Sequence, residues 1–347
     1  MRTALVTGAH GVIGAGLVAH LRSLPDWDVI TVARTRADIT VDLLDAAAAR
    51  DALGGTGATH VFHAAYQDRP TWRELVAPNL AMLVNTVEAV ESPALRHVSL
   101  MQGYKVYGAH LGPFRTPARE DDAGHMPPEF NLDQQAFLES RSGAWTWSAM
   151  RPSVVCSTAL GNPMNLVAAL AVYATISKEL GVPLRFPGKP GAYDSLLEVT
   201  DAGLLAHATV WAATTPECAD QAFNVANGDL FRWSRLWPRI AAEFEVPLGD
   251  PLPMSLADVM SDKEPVWDRI VAAHGLRPTP YADVSSWAFA DAVFSWDYDF
   301  LADGSRARRL GFTEFVDTEA MFAGLFDRLR AERVIPGTAT GARRASA

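Results

Sequence analysis

The sequence predicts an α/β fold with a parallel, doubly wound sheet, and three observations support this prediction. Over the first 155 residues, short β-branched segments alternate with segments of helical periodicity. A glycine-rich turn directly follows the first strand segment. Beyond Pro152, Trp, Pro and Phe become frequent and strand segments become sparse. Alternating strands and helices form parallel βαβ units with helices on both faces of the sheet. We therefore expect one sheet domain and a smaller, mainly helical lobe.

The predicted elements follow in regular order along residues 1–155. Strands are expected at the segments TALVTG, DVITVART, THVFHAAY, LRHVSLMQ and WTWSAMRPSVV. Helices are expected between them, at GVIGAGLVAHLRSL, AAAARDAL and LVAPNLAMLVNTVEAVE. Residues 156–336 are expected to form most of the helical lobe, with some segments returning to the sheet domain. Residues 337–347 are small and polar without periodicity, which predicts a disordered tail.

Composition and charge exclude several classes of protein. The 347 residues are 49% hydrophobic, which suffices for a large core. The net charge of −10 argues against a nucleic-acid or anionic-membrane partner. Cys156 and Cys218 are too few for a disulfide scaffold or a four-ligand zinc site, which suits a reducing cytoplasm. We find no clustered Cys/His set and predict no metal site.

No segment has the pattern of a membrane span or a secretory signal. The apolar start, MRTALVTGAHGVIGAGLVAHL, is interrupted by glycines and a histidine, as in a buried strand that turns into a helix. The later apolar stretch NLVAALAVYATISKEL is broken by Lys178, short of the ~20 residues that a span needs. We therefore expect a buried helix there, and a soluble cytoplasmic protein.

The segment TGAHGVIG has the glycine spacing of a dinucleotide site. Its glycines follow a strand and open a helix, so the turn can be tight and backbone N–H groups can approach a pyrophosphate at the helix N-terminus. This context predicts a Rossmann-type site. Its cofactor-binding residues are expected to include Thr7, Gly8, Gly11, Val12, Ile13 and Gly14. The alternative is a glycine turn that serves only the close packing of helix on strand.

The end of the second strand favours NADPH over NADH. An NAD site usually has Asp or Glu there to hold the ribose 2′-hydroxyl, whereas this chain has Arg34 and, two residues on, Arg36. The nearest acid, Asp38, lies beyond the strand. Guanidinium groups without a carboxylate suit a 2′-phosphate, although both arginines could also be solvated loop residues. Asp42 and Leu43 are expected near the adenine, or form an ordinary helix start.

Seven blocks of the sequence resemble one family in the same order. They are THVFHAAY, LRHVSLMQGYKVYG, WTWSAMRPSVV, VPLRFPG, AFNVANGDLFRW, EPVWDRIV and WAFADAVF. They are similar to the progesterone 5β-reductase/iridoid synthase-like enzymes, atypical members of the extended short-chain dehydrogenase/reductase superfamily. The resemblance spans about residues 3–336. It implies NADPH-dependent reduction of the C=C bond of an α,β-unsaturated carbonyl compound, and a homodimer as the superfamily's usual form.

The resemblance also implies two catalytic positions. The family's Lys, in a Gly-x-Lys-His-Tyr block, matches Lys105 in QGYKVYG. The family's Tyr, in an Asn-Phe-Tyr-Tyr block, matches Asn131 in EFNLDQ, so the tyrosine is absent. Gln135 stands where other short-chain dehydrogenases carry the Lys of Tyr-x-x-x-Lys. We expect Lys105 to hold the nicotinamide ribose or the substrate oxygen, with a solvated surface lysine as the alternative.

The chemistry of Asn131 bears on the reaction. Asn has no proton to give to an alkoxide, so reduction of a ketone to an alcohol is disfavoured. An enolate oxygen mainly needs a hydrogen bond, which a side-chain N–H can donate. The sequence therefore favours 1,4-hydride addition to an apolar enone or enal. The alternatives are an NADP(H)-binding isomerase or cyclase on this scaffold, and a non-catalytic NADP(H)-binding protein.

Further site residues are expected around the nicotinamide and the substrate. The predicted cofactor contacts are Ala64 and Ala65, Ser99, Pro152, and Val154 and Val155. The predicted pocket residues are Tyr104, Tyr107, Met164 and Asn165. Residues 1–155 are thus predicted to be the NADPH-binding domain and residues 156–336 mainly the substrate-binding lobe.

Overall fold

The computed structural model describes residues 1–141, 143 and 145–337. Apart from Gly337, the predicted tail lies outside the described residues. The chain divides into two compact units. The first contains Met1–Val155, Val199–Gly228 and Leu301–Phe315, and the second contains Cys156–Glu198, Asp229–Phe300 and the chain from Val316 onward. Two later segments therefore belong to the same unit as the N-terminal 155 residues.

The first unit is built on a seven-stranded sheet. Its strands are β1 (Arg2–Thr7), β2 (Trp27–Ala33), β3 (Ile39–Thr40), β4 (His60–His63), β5 (His97–Met101), β6 (Thr146–Pro152) and β9 (Gln221–Val225). The spatial order is β3-β2-β1-β4-β5-β6-β9, and every neighbouring pair is parallel. The strands β7 (Val154–Cys156) and β8 (Val199–Asp201) form a separate two-stranded sheet. The predicted doubly wound parallel sheet is confirmed.

Helices of the first unit flank this sheet in two groups. They are α1 (Val12–Ser23), α2 (Ala46–Leu53), α3 (Trp72–Val90), α4 (Phe130–Ser140), α6 (Ala202–Thr214) and α12 (Ser305–Arg309). Helix α1 packs against α6, and α3 packs against both α2 and α4. Fully buried Leu5, Val61 and Val98 of the strands form one core with Leu53 and Leu83 of the helices. Each such side chain contributes roughly 1.5–3 kcal/mol on burial.

The second unit is mainly helical. Its helices are α5 (Leu166–Glu179), α7 (Trp233–Glu243), α8 (Leu256–Val259), α9 (Glu264–His274), α10 (Tyr281–Val284), α11 (Trp287–Phe294) and α13 (Thr318–Ala331). Helix α5 is buried from Leu166 to Ser177, as its uniformly apolar sequence predicts. Phe186, Trp233, Trp237 and Phe294 form an aromatic core with ring centroids 5.2–6.1 Å apart.

The hydropathy of the helices bears on membrane insertion. Among the described residues, none of the helices combines the length and the apolar character that a membrane crossing requires.

Candidate active site

The glycine-rich turn leaves the start of helix α1 available to an anion. Gly11 is the N-cap residue and has no side chain to bond the N–H groups of the first turn. The first turn also contains no acidic residue. Free N–H groups and the positive end of the helix dipole favour a phosphate at this place. The residues present therefore fit the pyrophosphate of a dinucleotide.

Gly8 and Gly14 are required by close backbone approaches. A Cβ atom on Gly14 would lie 2.1 Å from the carbonyl oxygen of Gly8, and one on Gly8 would lie 2.4 Å from that of Ala64. Gly8 also has a φ of +66°, in the left-handed region that favours glycine. The turn thus lies tightly between β1 and the segment that follows β4. Strand order reverses between β1 and β4, which is where such sheets bind their ligands.

The acid nearest to the end of β2 is already engaged. One carboxylate oxygen of Asp38 accepts hydrogen bonds from the backbone N–H of Thr31 at 3.0 Å and from its hydroxyl at 2.6 Å. These bonds lower the pKa of Asp38, and Arg22 lies 3.6 Å from the same oxygen. Arg34 and Arg36 are exposed and form no ion pair within the described part of the chain. Two free guanidinium groups therefore lie beside an occupied carboxylate.

The loop that carries these arginines is tied to the glycine turn. The Nε2 atom of His10 lies 3.2 Å from the carbonyl oxygen of Thr35 and 3.0 Å from that of Arg36. Carbonyl oxygens only accept hydrogen bonds, so Nε2 is the protonated nitrogen. Arg36 has a φ of 55°, which marks a tight turn at this point.

The remaining predicted cofactor residues lie mostly along the carboxyl ends of the strands. Thr7 ends β1, and its hydroxyl lies 3.1 Å from Nδ1 of His63, which ends β4. Asp42 is exposed, whereas the side chain of Leu43 belongs to the hydrophobic core. Any adenine contact of Leu43 would therefore use its backbone. Ala64 and Ala65 directly follow β4 and are half-buried.

The predicted nicotinamide residues lie on β5, β6 and β7. Ser99 is fully buried in the middle of β5, with its hydroxyl 3.4 Å from that of Ser148 on β6. Pro152 ends β6 and Val154 begins β7, while Val155 is partly exposed. All of these assignments to the cofactor stay predictions.

Lys105 lies just beyond the end of β5, in a 3-10 helix that spans Tyr104–Tyr107. Its ammonium nitrogen is 4.8 Å from the centre of the Trp72 ring, a cation–π contact. Burial lowers the pKa of Lys105, and the charges of Glu129 and Asp68 act in the opposite direction. A partly desolvated ammonium group at the ligand edge of the sheet can bind an oxygen that carries negative charge.

Asn131 lies in the first turn of α4 and is 4% exposed. Its amide nitrogen donates a 2.6 Å hydrogen bond to Oε1 of Glu129, which is also buried. The other carboxylate oxygen of Glu129 accepts from the backbone N–H of Leu132 at 3.1 Å and caps the helix. An amide nitrogen carries two hydrogens, so one N–H of Asn131 remains for another acceptor.

A buried guanidinium group holds the backbone around Asn131. Arg151 is 1% exposed and donates to Gln102 Oε1 at 2.8 Å and to Gln135 Oε1 at 3.0 Å. Gln102 in turn donates from Nε2 to the carbonyl oxygen of Asn131 at 2.8 Å. Gln135 is thus part of a network that connects α4 to the ends of β5 and β6.

The four predicted pocket residues have different surroundings. The hydroxyl of Tyr107 donates to Asn224 Oδ1 at 2.5 Å and accepts from Arg151 at 3.2 Å, and burial raises its pKa to about 12. Tyr104 is buried beside it, with ring centroids 5.9 Å apart.

Met164 and Asn165 belong to the second unit. Asn165 caps α5 and bonds the carbonyl oxygen of Ala159. Tyr107 and Asn165 therefore have structural bonds, and their pocket role stays a prediction.

The sequence reasoning missed Glu129 and Trp72. Glu129 had only a weak signal, because Glu is not among the preferred N-cap residues and its bond to Asn131 depends on the fold. Trp72 had none, because it lies 33 positions before Lys105 and only the fold brings the two together.

The strand order and the glycine turn at the switch point define a Rossmann-type domain. The family model described as a PRISE-like Rossmann-fold domain matches residues 27–336, and the chain belongs to this family.

Curated relatives match along almost the whole chain. (S)-8-oxocitronellyl enol synthase ISY2 of Nepeta racemosa is 34% identical, over 97% of this chain and 92% of that protein. The 3-oxo-Delta(4,5)-steroid 5-beta-reductase of Arabidopsis thaliana is 31% identical, over 96% of this chain and 93% of that protein. Both relatives are enzymes, and this chain is a member of the same enzyme family.

Solved structures share the fold. WbmH of Bordetella bronchiseptica, in complex with NAD+, has a TM-score of 0.65 and 17% sequence identity, over 95% of this chain and 99% of that one. At this identity the similarity shows the fold alone.

Proposed function

We propose that the protein reduces the C=C bond of an α,β-unsaturated carbonyl compound by 1,4-addition of hydride from NADPH. The observation that carries this proposal is the linked set of Lys105, Glu129 and Asn131 at the ligand edge of the sheet. The set contains a cation and an amide donor, and it contains no tyrosine hydroxyl at residue 131. Such a site suits an enolate better than an alkoxide.

The chain's own residues support NADPH as the cofactor. The free N–H groups at the start of α1 suit the pyrophosphate, and exposed Arg34 and Arg36 suit the 2′-phosphate. Asp38, the acid that could have bound a ribose 2′-hydroxyl, is bonded to Thr31 instead. When bound, NADPH supplies the hydride. The NAD+ in WbmH does not decide this choice, because that similarity shows only the fold.

Lys105 and Asn131 have separate tasks in this proposal. The ammonium group of Lys105 attracts the carbonyl oxygen and stabilises the negative charge that develops on it. The free N–H of Asn131 donates a hydrogen bond to the same oxygen. Carbon-centred protonation then comes from water, because Asn131 has no proton to release.

The names of the relatives support the substrate class. A 3-oxo steroid with a 4,5 double bond is an α,β-unsaturated ketone, and the other relative is an enol synthase. We propose an apolar enone or enal as the substrate, with the second unit as the main substrate-binding part. By resemblance and composition, we also propose a homodimer in the cytoplasm.

One alternative has some support. An enol is the product named for the first relative, and a site that stabilises an enolate without an acid also suits an isomerase or a cyclase. The same site would then bind NADP(H) without net reduction of the product.

The test follows NADPH absorbance with purified protein. The substrates are 2-cyclohexen-1-one, progesterone and a simple enal, beside the matching saturated carbonyl compounds, with NADH as the cofactor control. We expect oxidation of NADPH with the unsaturated compounds only. Oxidation with saturated ketones at an equal rate, or none with any enone despite NADPH binding, would refute the proposed reaction.

A further inference from the structure

Glu129 is held between the two groups that the proposed reaction uses. It is the residue before α4 and is 7% exposed. Oε1 accepts from the amide nitrogen of Asn131 at 2.6 Å, and Oε2 accepts from the backbone N–H of Leu132 at 3.1 Å. A buried carboxylate with both oxygens bonded has a fixed position. It therefore also fixes the groups that donate to it.

The bond to Glu129 determines how the carboxamide of Asn131 is turned. A carboxylate only accepts hydrogen bonds, so the nitrogen of the amide must face Glu129 and its oxygen must face away. The backbone of Asn131 is held independently, because Gln102 Nε2 donates to its carbonyl oxygen at 2.8 Å. With a fixed backbone and a fixed amide plane, the second N–H of Asn131 points in one direction.

Glu129 also acts on Lys105 through its charge. Its negative charge favours the ammonium form of Lys105, as does that of Asp68, whereas burial opposes that form. Two histidines are further titratable neighbours. The charge of Lys105 helps to lower the pKa of His110, and the charge of His125 acts to lower the pKa of Glu129. Burial lowers the pKa of His110 to about 4, so it is neutral near pH 7 and does not compete with Lys105.

We propose that Glu129 is a positioning residue of this site: through its hydrogen bond it orients the carboxamide of Asn131 as a donor. This inference rests on the proposed function, and it adds a third residue to it. Glu129 itself touches neither substrate nor cofactor and transfers no proton. Its role is carried by Asn131.

Titration supports this geometry with a definite sign. Burial raises the pKa of Glu129 above its usual value, so the carboxylate is lost at a higher pH than in an ordinary glutamate. Below that pH Glu129 is protonated, and its carboxylate no longer orients the amide of Asn131. Above the pKa of Lys105, which burial lowers, the ammonium group is lost. Activity should therefore fall on both sides of a plateau.

The test compares Glu129→Gln with Glu120→Gln. Gln keeps the size of Glu and an oxygen that can cap α4, but it removes the charge. Glu120 is a matched control, because it lies in the same unit, is 7% exposed, and has a pKa raised by burial. Its carboxylate bonds the backbone N–H of Asn224 and contacts Arg306, whereas the charges that act on Lys105 are those of Glu129 and Asp68.

The first readout needs no turnover. The sequence contains four lysines, at residues 105, 178, 189 and 263, so lysine labelled with ¹³C at Cε gives few NMR signals, and Lys105→Arg identifies the signal of Lys105. We expect Lys105 to titrate at lower pH in Glu129→Gln than in wild type, and at the wild-type pH in Glu120→Gln. An unchanged titration of Lys105 in Glu129→Gln would show that residue 129 carries no charge beside Lys105 in wild type. That result would overturn the proposal, because only an ionised Glu129 turns the amide nitrogen of Asn131 towards itself.

The second readout is the pH profile of enone reduction. We expect Glu129→Gln to lower kcat about tenfold, to change KM by less than about threefold, and to shift the alkaline limb to lower pH. At a pH where Lys105 is charged in both proteins, Glu129→Gln should change kcat little once Asn131 is already Ala. If the effects of Glu129→Gln and Asn131→Ala on kcat instead multiply in the double variant, Glu129 does not act through Asn131, and the proposal is contradicted.

The two readouts separate the two hypotheses. If wild type reduces no enone, the proposed function is wrong, and the titration of Lys105 still decides whether Glu129 controls its charge. If wild type reduces enones but Glu129→Gln matches wild type in both readouts, the proposed function stands and the role of Glu129 is wrong.

Discussion

The amide nitrogen of Asn131 donates a 2.6 Å hydrogen bond to Glu129, so the side chain of Asn131 is bonded and oriented. Both residues are buried at the start of α4. This bond gives the amide of Asn131 a defined donor direction, which an unbonded asparagine would lack. The catalytic predictions follow from this relationship.

Replacing Asn131 tests whether its N–H stabilises the enolate. We expect Asn131→Ala to lower kcat for enone reduction by about 100-fold, since the loss of one oxyanion donor typically costs ~3 kcal/mol. Asn131→Asp is nearly the same size but places a carboxylate beside Glu129 and the enolate, so kcat should fall at least as far. Single-turnover rates measure both effects, with the Kd for NADPH as the control for folding. A kcat of Asn131→Asp within about threefold of wild type would contradict the enolate role.

Arg34 tests the choice of cofactor. We expect Arg34→Ala to weaken NADPH binding by about 10- to 100-fold, since a charge-assisted hydrogen bond is worth about 1.5–3 kcal/mol, and to leave NADH binding nearly unchanged. Titration of NADPH fluorescence measures both constants. Arg50→Ala, on the exposed surface of α2, is the matched control and should bind both cofactors as wild type does. Equal weakening of NADPH and NADH would argue against a 2′-phosphate contact.

Gly14 tests the packing of the glycine turn. Its Cβ would lie 2.1 Å from the carbonyl oxygen of Gly8, so Gly14→Ala must shift α1 away from β1. We expect this change to lower the free energy of unfolding by about 1–3 kcal/mol and to weaken NADPH binding. Gly55→Ala has nothing within 4 Å of the added carbon and should change stability by less than about 1 kcal/mol. Urea denaturation compares the two variants, and equal stabilities would refute the close approach.

Buried histidines predict how stability depends on pH. Burial lowers the pKa of His97 to about 3 and that of His63 to about 4, so both stay neutral in the native protein where the unfolded chain takes up protons. Their contribution is fully present above about pH 6.5 and is lost as pH falls towards about 4.

The variant His97→Gln isolates one of these groups. Between about pH 6 and pH 4, we expect the unfolding free energy of wild type to fall more steeply than that of His97→Gln, by up to about 1.4 kcal/mol per pH unit. His274→Gln, at an exposed position, should follow wild type. Urea titrations at several pH values check this, and parallel curves for His97→Gln and wild type would contradict a neutral buried histidine.

Much of the sheet domain could be predicted from the sequence. The glycine turn and the β-branched segments predicted β1, β2, β4, β5 and β6. Strands β4 and β5 are buried throughout, as expected for apolar runs in a parallel sheet. The short strand β3 and the distant strand β9 were not predicted. A strand of two residues shows too little periodicity to predict β3. Strand β9 is defined by its pairing with β6, whose first registered pair joins Ser148 to Gln221, 73 positions further along the chain.

The site was harder to predict than the fold. The resemblance predicts Lys105 and Asn131 as site residues. Glu129 was not predicted, because its place beside them depends on the fold and on the orientation of an amide. Arg151 on β6 bonds Gln102, which follows β5, and Gln135 on α4. No local sequence pattern connects these three segments. Buried polar networks of this kind are specified by the tertiary structure.

The most direct test of 1,4-addition follows the hydride from NADPH to the carbon atom that receives it. NADPH deuterated at the transferred position is incubated with 2-cyclohexen-1-one and the protein, and the product is analysed by NMR. We expect saturated ketone with deuterium on the β-carbon and none on the carbonyl carbon. Deuterium on the carbonyl carbon of an alcohol, or no deuterium in any product while NADPH remains bound, would contradict it.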